Sequence, residues 1–380
     1  MNPKFAVYIL LTALLTTARA QVPASRHVVV VVEENHNYSQ VIGTGAMPYL
    51  NSLANQYGLA TQYYANTHPS IGNYFMMTTG QIITNNDNYN QVVTADNLVR
   101  HLLAAGKTWK SYAEGLPSVG YVGGDTGLYV RHHNPFTYLS DVFNSSVQKL
   151  NLVPFTQFAT DLNNNALPDI SFIIPNLIND AHNGTLQQAD TWLQSNISPL
   201  LTNSAFLQDG ILVIVFDESA SDNTHGGGHI VTVVAGPNVY PGVRPASLFQ
   251  HENLLRMISE AVGLTSFPGA AATAKDMQAF FKHVIINPPR LTFGSQHVGT
   301  TSPSQAVTLT NRQTSSLTGI TVSVTGNFAQ TNNCGTSLAP NASCTINVTF
   351  SPKAVGIRHG KLSVTDSAGT QSTSLTGTGS

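Results

Sequence analysis

Four short stretches of the chain are almost wholly apolar and β-branched: residues 27–32 (HVVVVV), 170–174 (ISFII), 211–216 (ILVIVF) and 230–235 (IVTVVA). Runs of this length without polar alternation fit strands covered on both faces. Between them, apolar residues recur at helical spacing over 47–57, 95–105 and 251–262. Strand alternating with helix predicts an α/β domain with a mainly parallel sheet flanked by helices. After Asn287-Pro288-Pro289 the helical period stops, and short Thr/Val/Ser-rich strands recur at 305–310, 319–324, 343–350 and 360–365. That pattern predicts a small all-β sandwich.

The first 20 residues read differently. A cationic start at 1–4, an apolar run over 5–17 and Ala18-Arg19-Ala20 read as a signal peptide with cleavage expected after Ala20, an N-terminal anchor being the plainer alternative. The expected organisation is therefore a leader at 1–20, an α/β domain at 21–287 and a sandwich at 288–380. No other stretch approaches 18 apolar residues, so no membrane span is expected, and the mature protein is placed in the periplasm or outside the cell. Cys334 and Cys344 are the only cysteines, both in the β-rich segment, and an even count in an exported chain reads as a disulfide.

Composition narrows the function. Charged residues make up 9% of the 380, and the formal net charge is −2. No basic stripe exists to neutralise phosphates, so nucleic acid is excluded as a partner. Scarcity also makes each carboxylate informative: 18 of the 19 acids precede residue 288, and only Asp366 follows it.

Two adjacent acidic pairs occur, Glu33-Glu34 and Asp217-Glu218, each where a buried apolar strand ends. Open α/β sheets place their ligand crevice at that edge. Buried carboxylates that converge resist ionising together unless a cation lies among them, so a divalent metal with oxygen ligands is expected; the competing reading is solvated acids at strand ends. Histidines in polar loops extend the set: His68, the His132-His133 pair, His182, His225 and His229. Imidazole both ligates metals and donates to phosphoryl oxygen. Asp180 and His182 follow the strand ISFII and belong at the same edge. Ser70, in Thr67-His68-Pro69-Ser70-Ile71-Gly72-Asn73, opens a helix-like stretch and is the candidate nucleophile; the plainer alternative is a helix N-cap.

The ordered segments VVVVVEENHNYSQVIG, MPYLNSLA, THPSIGNYFMMTTG, YAEGLP, RHHNPF, SFIIPNLINDAHNG, VIVFDES and GGGHIVTVVAGP resemble the bacterial phosphoesterase family of secreted acid phosphatases and phospholipases C, within the alkaline phosphatase superfamily. The resemblance spans 27–283. It implies an alkaline phosphatase-like fold, metal at the sheet edge and a covalent phosphoserine. It makes Glu34, Asn35, Asp217 and Glu218 metal ligands, Ser70 the nucleophile and Asn73 an oxygen-stabilising amide. More distant relatives bind a second metal through an Asp and two His, to which Asp180, His182 and His229 correspond. Those relatives have Asp-His where this chain has Asp217-Glu218, so one cation is expected and the second left open, with His68, His182 and His229 as alternative phosphate binders. Residues 288–380 resemble immunoglobulin-like domains related to abnormal-spindle and Hydin proteins, which implies spacing, adhesion or contact with a cell surface or polymer.

The expected activity is hydrolysis of a small phosphate ester, with a phosphomonoesterase ahead of a phospholipase C or other phosphodiesterase acting on a phospholipid head group. A lipase-type esterase, suggested by His225-Gly226-Gly227-Gly228, lacks a G-x-S-x-G elbow. A non-catalytic surface-binding protein is the reading from another class.

Overall fold

The computed structural model describes residues 22–313 and 315–380; the expected leader at 1–20 lies outside them. A seven-stranded sheet forms the centre of the larger part. Its strands are β1 (Val28–Glu33), β2 (Gly58–Leu59), β3 (Trp109–Ala113), β4 (Leu152–Pro154), β5 (Ile170–Ile174), β6 (Ile211–Phe216) and β7 (Thr232–Ala235), in the order β2-β7-β6-β1-β5-β3-β4. The five strands from β6 to β4 run parallel, while β7 lies antiparallel to β6 and β2 antiparallel to β7. The sheet is therefore mainly parallel, with helices packed on it, as the apolar runs predict.

β1 sits in the middle, between β5 and β6, and every one of its residues is buried. A strand covered on both faces has no use for polar alternation, which is why VVVVV suits it. The helices that matter for the site are α1 (Tyr38–Val41), α2 (Pro48–Gln56), α3 (Ser70–Thr79) and α4 (Leu98–Ala104). All ten residues of α3 are buried. It ends at Gly80, whose φ of +67° is the left-handed geometry that glycine adopts without a Cβ penalty.

The remaining chain builds two four-stranded sheets. One joins β8 (Val284–Asn287) and β10 (Gln305–Asn311) to Ser343–Phe350 and Phe328–Asn332; the other joins β9 (Arg290–Gln296) to Gly369–Gly379, Gly356–Asp366 and Thr321–Val324. Leu309, Ile346, Val348 and Phe350 from the first meet Phe293, Leu362, Val364 and Leu375 from the second in one apolar cluster, a β-sandwich. Cys334 and Cys344 form a disulfide within it. β8 begins before Asn287-Pro288, and it already pairs with β10 in the second part.

Candidate active site

Three neighbouring strand ends meet at one edge of the central sheet. Just past β1, the Glu34 N–H donates to the Asp180 carbonyl at 2.8 Å, and past β6 the Asp217 N–H donates to the Glu33 carbonyl at 2.9 Å. The Asn35 N–H donates to Asp217 Oδ1 at 3.1 Å, and Asn35 itself turns at φ +54°, a region asparagine tolerates. Strand parity separates the first acidic pair, because successive side chains point to opposite faces. Glu34 joins the crevice, whereas both carboxyl oxygens of fully buried Glu33 have no hydrogen-bond partner.

α3 supplies the nucleophile candidate. Ser70 is its first residue, and its Oγ lies 3.2 Å from Glu34 Oε2 and 3.3 Å from Glu218 Oε1, within donating distance of either. One helical turn later, the Tyr74 hydroxyl donates to Glu34 Oε1. The His133 ring stacks on Tyr74 at 5.2 Å, and its Nδ1 lies 3.5 Å from both Glu34 Oε1 and Asp180 Oδ2. Asp180 is set on a strained turn: Ala181, at φ +72°, separates it from His182, and the His182 N–H donates to Asp180 Oδ1 at 2.8 Å. Glu114, just past β3, secures this loop from behind by accepting from the Asn176 N–H and the Asn179 amide.

Electrostatics explain what the cluster needs. Burial lifts the Glu34 carboxyl well above its ordinary range, and the nearby charges of Asp217 and Asp180 add to the rise. Burial likewise lifts Asp180 to about 7, raises Asp217, and with the charge of Asp217 lifts Glu218 to about 9. His133 moves the opposite way, to about 3, through burial and then the neighbouring His132, so its imidazole is neutral and has a lone pair to offer. Among the described residues no Lys or Arg pairs with these four acids, and Asp180 Oδ2, Asp217 Oδ2 and His133 Nε2 are buried without a hydrogen-bond partner. Glu34, His133 and Asp180 can present one ligand atom each within 4.8 Å of one another. Clustered carboxylate oxygens and a neutral imidazole, with no internal cation, fit a divalent metal ion.

The structure brings Ser70, Glu34, Asp217, Glu218 and Asp180 together, with the Asn35 backbone beside them. His68 is adjacent: Nδ1 contacts Glu218 Oε2 at 2.8 Å and Nε2 the Asp222 carbonyl at 3.0 Å, so both ring nitrogens face protein acceptors. His182 lies 5.7 Å from the His133 ring, and its Nδ1 faces Asn183 Oδ1. The Asn73 amide faces its own loop, accepting from the Asn66 and Thr67 N–H groups and donating to the Thr67 carbonyl. His229 sits farther out, stacked between Tyr38 at 4.2 Å and Tyr64 at 4.9 Å and tied to the site through Asp222. Tyr74 and Glu114 carry no signal in the sequence beyond lying in polar-flanked motifs, and the part played by His133 becomes apparent only in three dimensions.

The phosphoesterase family model matches residues 44–265. The chain belongs to this family. Phosphatidylinositol-3-phosphatase of Mycobacterium tuberculosis is 35% identical over 249 residues, covering 65% of this chain and 80% of that protein. An acid phosphatase of Aspergillus fumigatus is 33% identical over 246 residues, covering 61% of this chain and 54% of the fungal protein, about half its length. Among solved structures, lipoteichoic acid synthase LtaP from Listeria monocytogenes covers 70% of this chain and 83% of its own, at 11% identity and a TM-score of 0.49. Residues 282–380 match the model of Cep192 domain 4. As a member of the phosphoesterase family, the protein is a phosphoric ester hydrolase with a C-terminal immunoglobulin-like domain.

Proposed function

We propose that the protein is a metal-dependent phosphomonoesterase acting through a phosphoserine on Ser70. The observation that carries this reading is the Ser70 hydroxyl at the first position of α3, within hydrogen-bond distance of two buried carboxylates. Glu34, Asp217, Glu218 and Asp180, with His133 and Asn35 beside them, would hold a divalent cation, which when bound lowers the pKa of a coordinated hydroxyl and polarises a phosphoryl oxygen. Ser70 Oγ attacks phosphorus in line and the ester P–O bond breaks, so the alcohol leaves as the phosphoserine forms. The Ser70 proton passes to the carboxylate it already faces, Glu34 or Glu218, and water later displaces Ser70 to release phosphate. The positive end of α3 favours the charge on the transferring group. His68 holds Glu218 in place and Asn73 fixes the loop that delivers Ser70; His182, beside His133, would serve the bound phosphate, and His229 supports the outer wall.

The names of the relatives suggest substrates from soluble phosphomonoesters to a phosphoinositide head group. The disulfide supports export to an oxidising compartment. Metal content of the purified protein, paired with hydrolysis of a chromogenic phosphomonoester, a phosphodiester and phosphatidylcholine, tests the reading. Monoester turnover is expected to dominate and to fall with a chelator. Ser70→Ala should lower kcat at least about a thousandfold; a variant that turns over normally would sink the assignment.

A further inference from the structure

Beyond Gly80, the loop 81–97 folds back over the first turn of α3, and two of its side chains reach that turn. Asn85 Nδ2 donates to Thr67 Oγ1 at 2.9 Å, and Asp87 Oδ1 accepts from the Ile71 N–H at 3.2 Å. This is the one hydrogen bond of Asp87 among the described residues. Ile71 follows Ser70, and its N–H is a peptide donor at the open end of the helix, whereas the next one, from Gly72, already donates to the Pro69 carbonyl at 3.3 Å. A phosphoryl group seated at Ser70 would use the Ile71 N–H. Asp87 therefore stands where one oxygen of the substrate must come. The titratable groups near enough to feel its charge include His132, His133 and Tyr138 from the 131–138 segment and Glu218 beyond β6.

A carboxylate and a fully ionised phosphate offer only acceptors to one another, and crowding both against a single N–H is repulsive. A singly ionised ester carries a P–OH, which can donate to the carboxylate. We propose that Asp87 is a specificity-determining residue of this site: it accepts the phosphoryl hydroxyl of a monoanionic phosphate ester bound at Ser70 and disfavours the dianion. The proposal rests on the reading of Ser70 as nucleophile. It gives the enzyme a preference for acidic conditions through the ionisation of its substrate, whose second pKa lies near 6.

Asp87→Asn keeps an oxygen for the Ile71 N–H and removes the charge. For the native protein, kcat/KM on a chromogenic phosphomonoester should fall as pH rises from 5 to 7.5. In the variant, the ratio of the value at pH 7.5 to that at pH 5 should rise roughly tenfold, the size of one charge-assisted hydrogen bond. An unchanged ratio, with only a lowered melting temperature, would make Asp87 a helix cap and overturn the proposal. Should the variant fail to fold, the native protein still decides the matter through competitive inhibition by inorganic phosphate, which has a titrating hydroxyl, and by sulfate, which has none in this range. Phosphate should gain on sulfate as pH falls, and a constant ratio overturns the proposal. Undiminished hydrolysis by Ser70→Ala would count against the nucleophile and leave the pH ratio readable by itself.

Discussion

Tyr74 reaches Glu34 because it lies one turn beyond Ser70 on α3, so one helix face delivers both the proposed nucleophile and the group that orients its neighbour. Tyr74→Phe keeps the ring on His133 and deletes only the hydroxyl, leaving Glu34 Oε1 free to swing. Removing such an outer partner of a carboxylate proposed to hold the metal is expected to weaken divalent-cation affinity about 10- to 100-fold, with activity recovering at saturating cation. Calorimetric cation titration beside turnover at several cation concentrations measures this; unaltered affinity would leave Tyr74 a packing residue. The residues legible beforehand were those whose place follows from one strand: Glu34, Asp217 and Glu218 come straight after apolar runs, so the sheet carries them to its edge. Tyr74 gains meaning only by meeting His133, already a candidate from its polar loop, across 59 positions of sequence, a contact that no local pattern encodes. Adjacent Glu33 and Glu34 look alike in sequence, and strand parity alone assigns one to the crevice and the other to the interior.

Elements follow the same division. The central strands announce themselves through unbroken β-branched runs, but β3 reads WKSYA, and its Lys110 and Ser111 interrupt the signal although the strand lies between β5 and β4. Lys110 is accommodated there by an ion pair with Asp161 at 2.5 Å, a partner on a different element. The reversed direction of β7 is likewise set by how the chain returns, not by composition. α3 depends on its end as much as on its start: a Cβ at Gly80 would sit 2.5 Å from the Pro268 carbonyl oxygen and 2.8 Å from the Ala270 nitrogen. Both are backbone atoms, and φ there is +67°. Gly80→Ala should therefore destabilise the fold by at least about 2 kcal/mol, the combined penalty of left-handed strain and a clash that cannot be relieved by rotating a side chain. Chemical denaturation measures it, and a wild-type midpoint would mean that the 268–270 segment moves aside freely.

At the scale of the whole molecule, the two apolar clusters share no residue: one surrounds the seven-stranded sheet and includes Phe280 and Phe281, and the other fills the sandwich from Val284 onward. Polar contacts cross the junction. Arg312 Nη1 donates to the Val22 carbonyl at 3.2 Å, the Arg312 N–H donates to the His283 carbonyl at 2.7 Å, and a cleft of about 320 Å³ opens between Asn238, Tyr240 and Lys282 on one side and Thr370, Gln371 and Ser372 on the other. Two cores that share no residue are expected to fold independently. Every group assembled around Ser70 comes from residues 34–229 and none from the sandwich. The change of sequence texture at Asn287-Pro288-Pro289 is visible without a structure, but the pairing of β8 with β10 already starts at Val284, because an apolar VII run fits either part and only its hydrogen-bonding partner decides. A chain ending at His283 keeps Phe280 and Phe281 over the first core and removes the second entirely. Its kcat/KM on a soluble phosphomonoester should stay within about twofold of the full protein, since independent domains contribute their functions separately. If the shortened chain has a native far-ultraviolet spectrum yet loses turnover, the sandwich shapes the site through the seam.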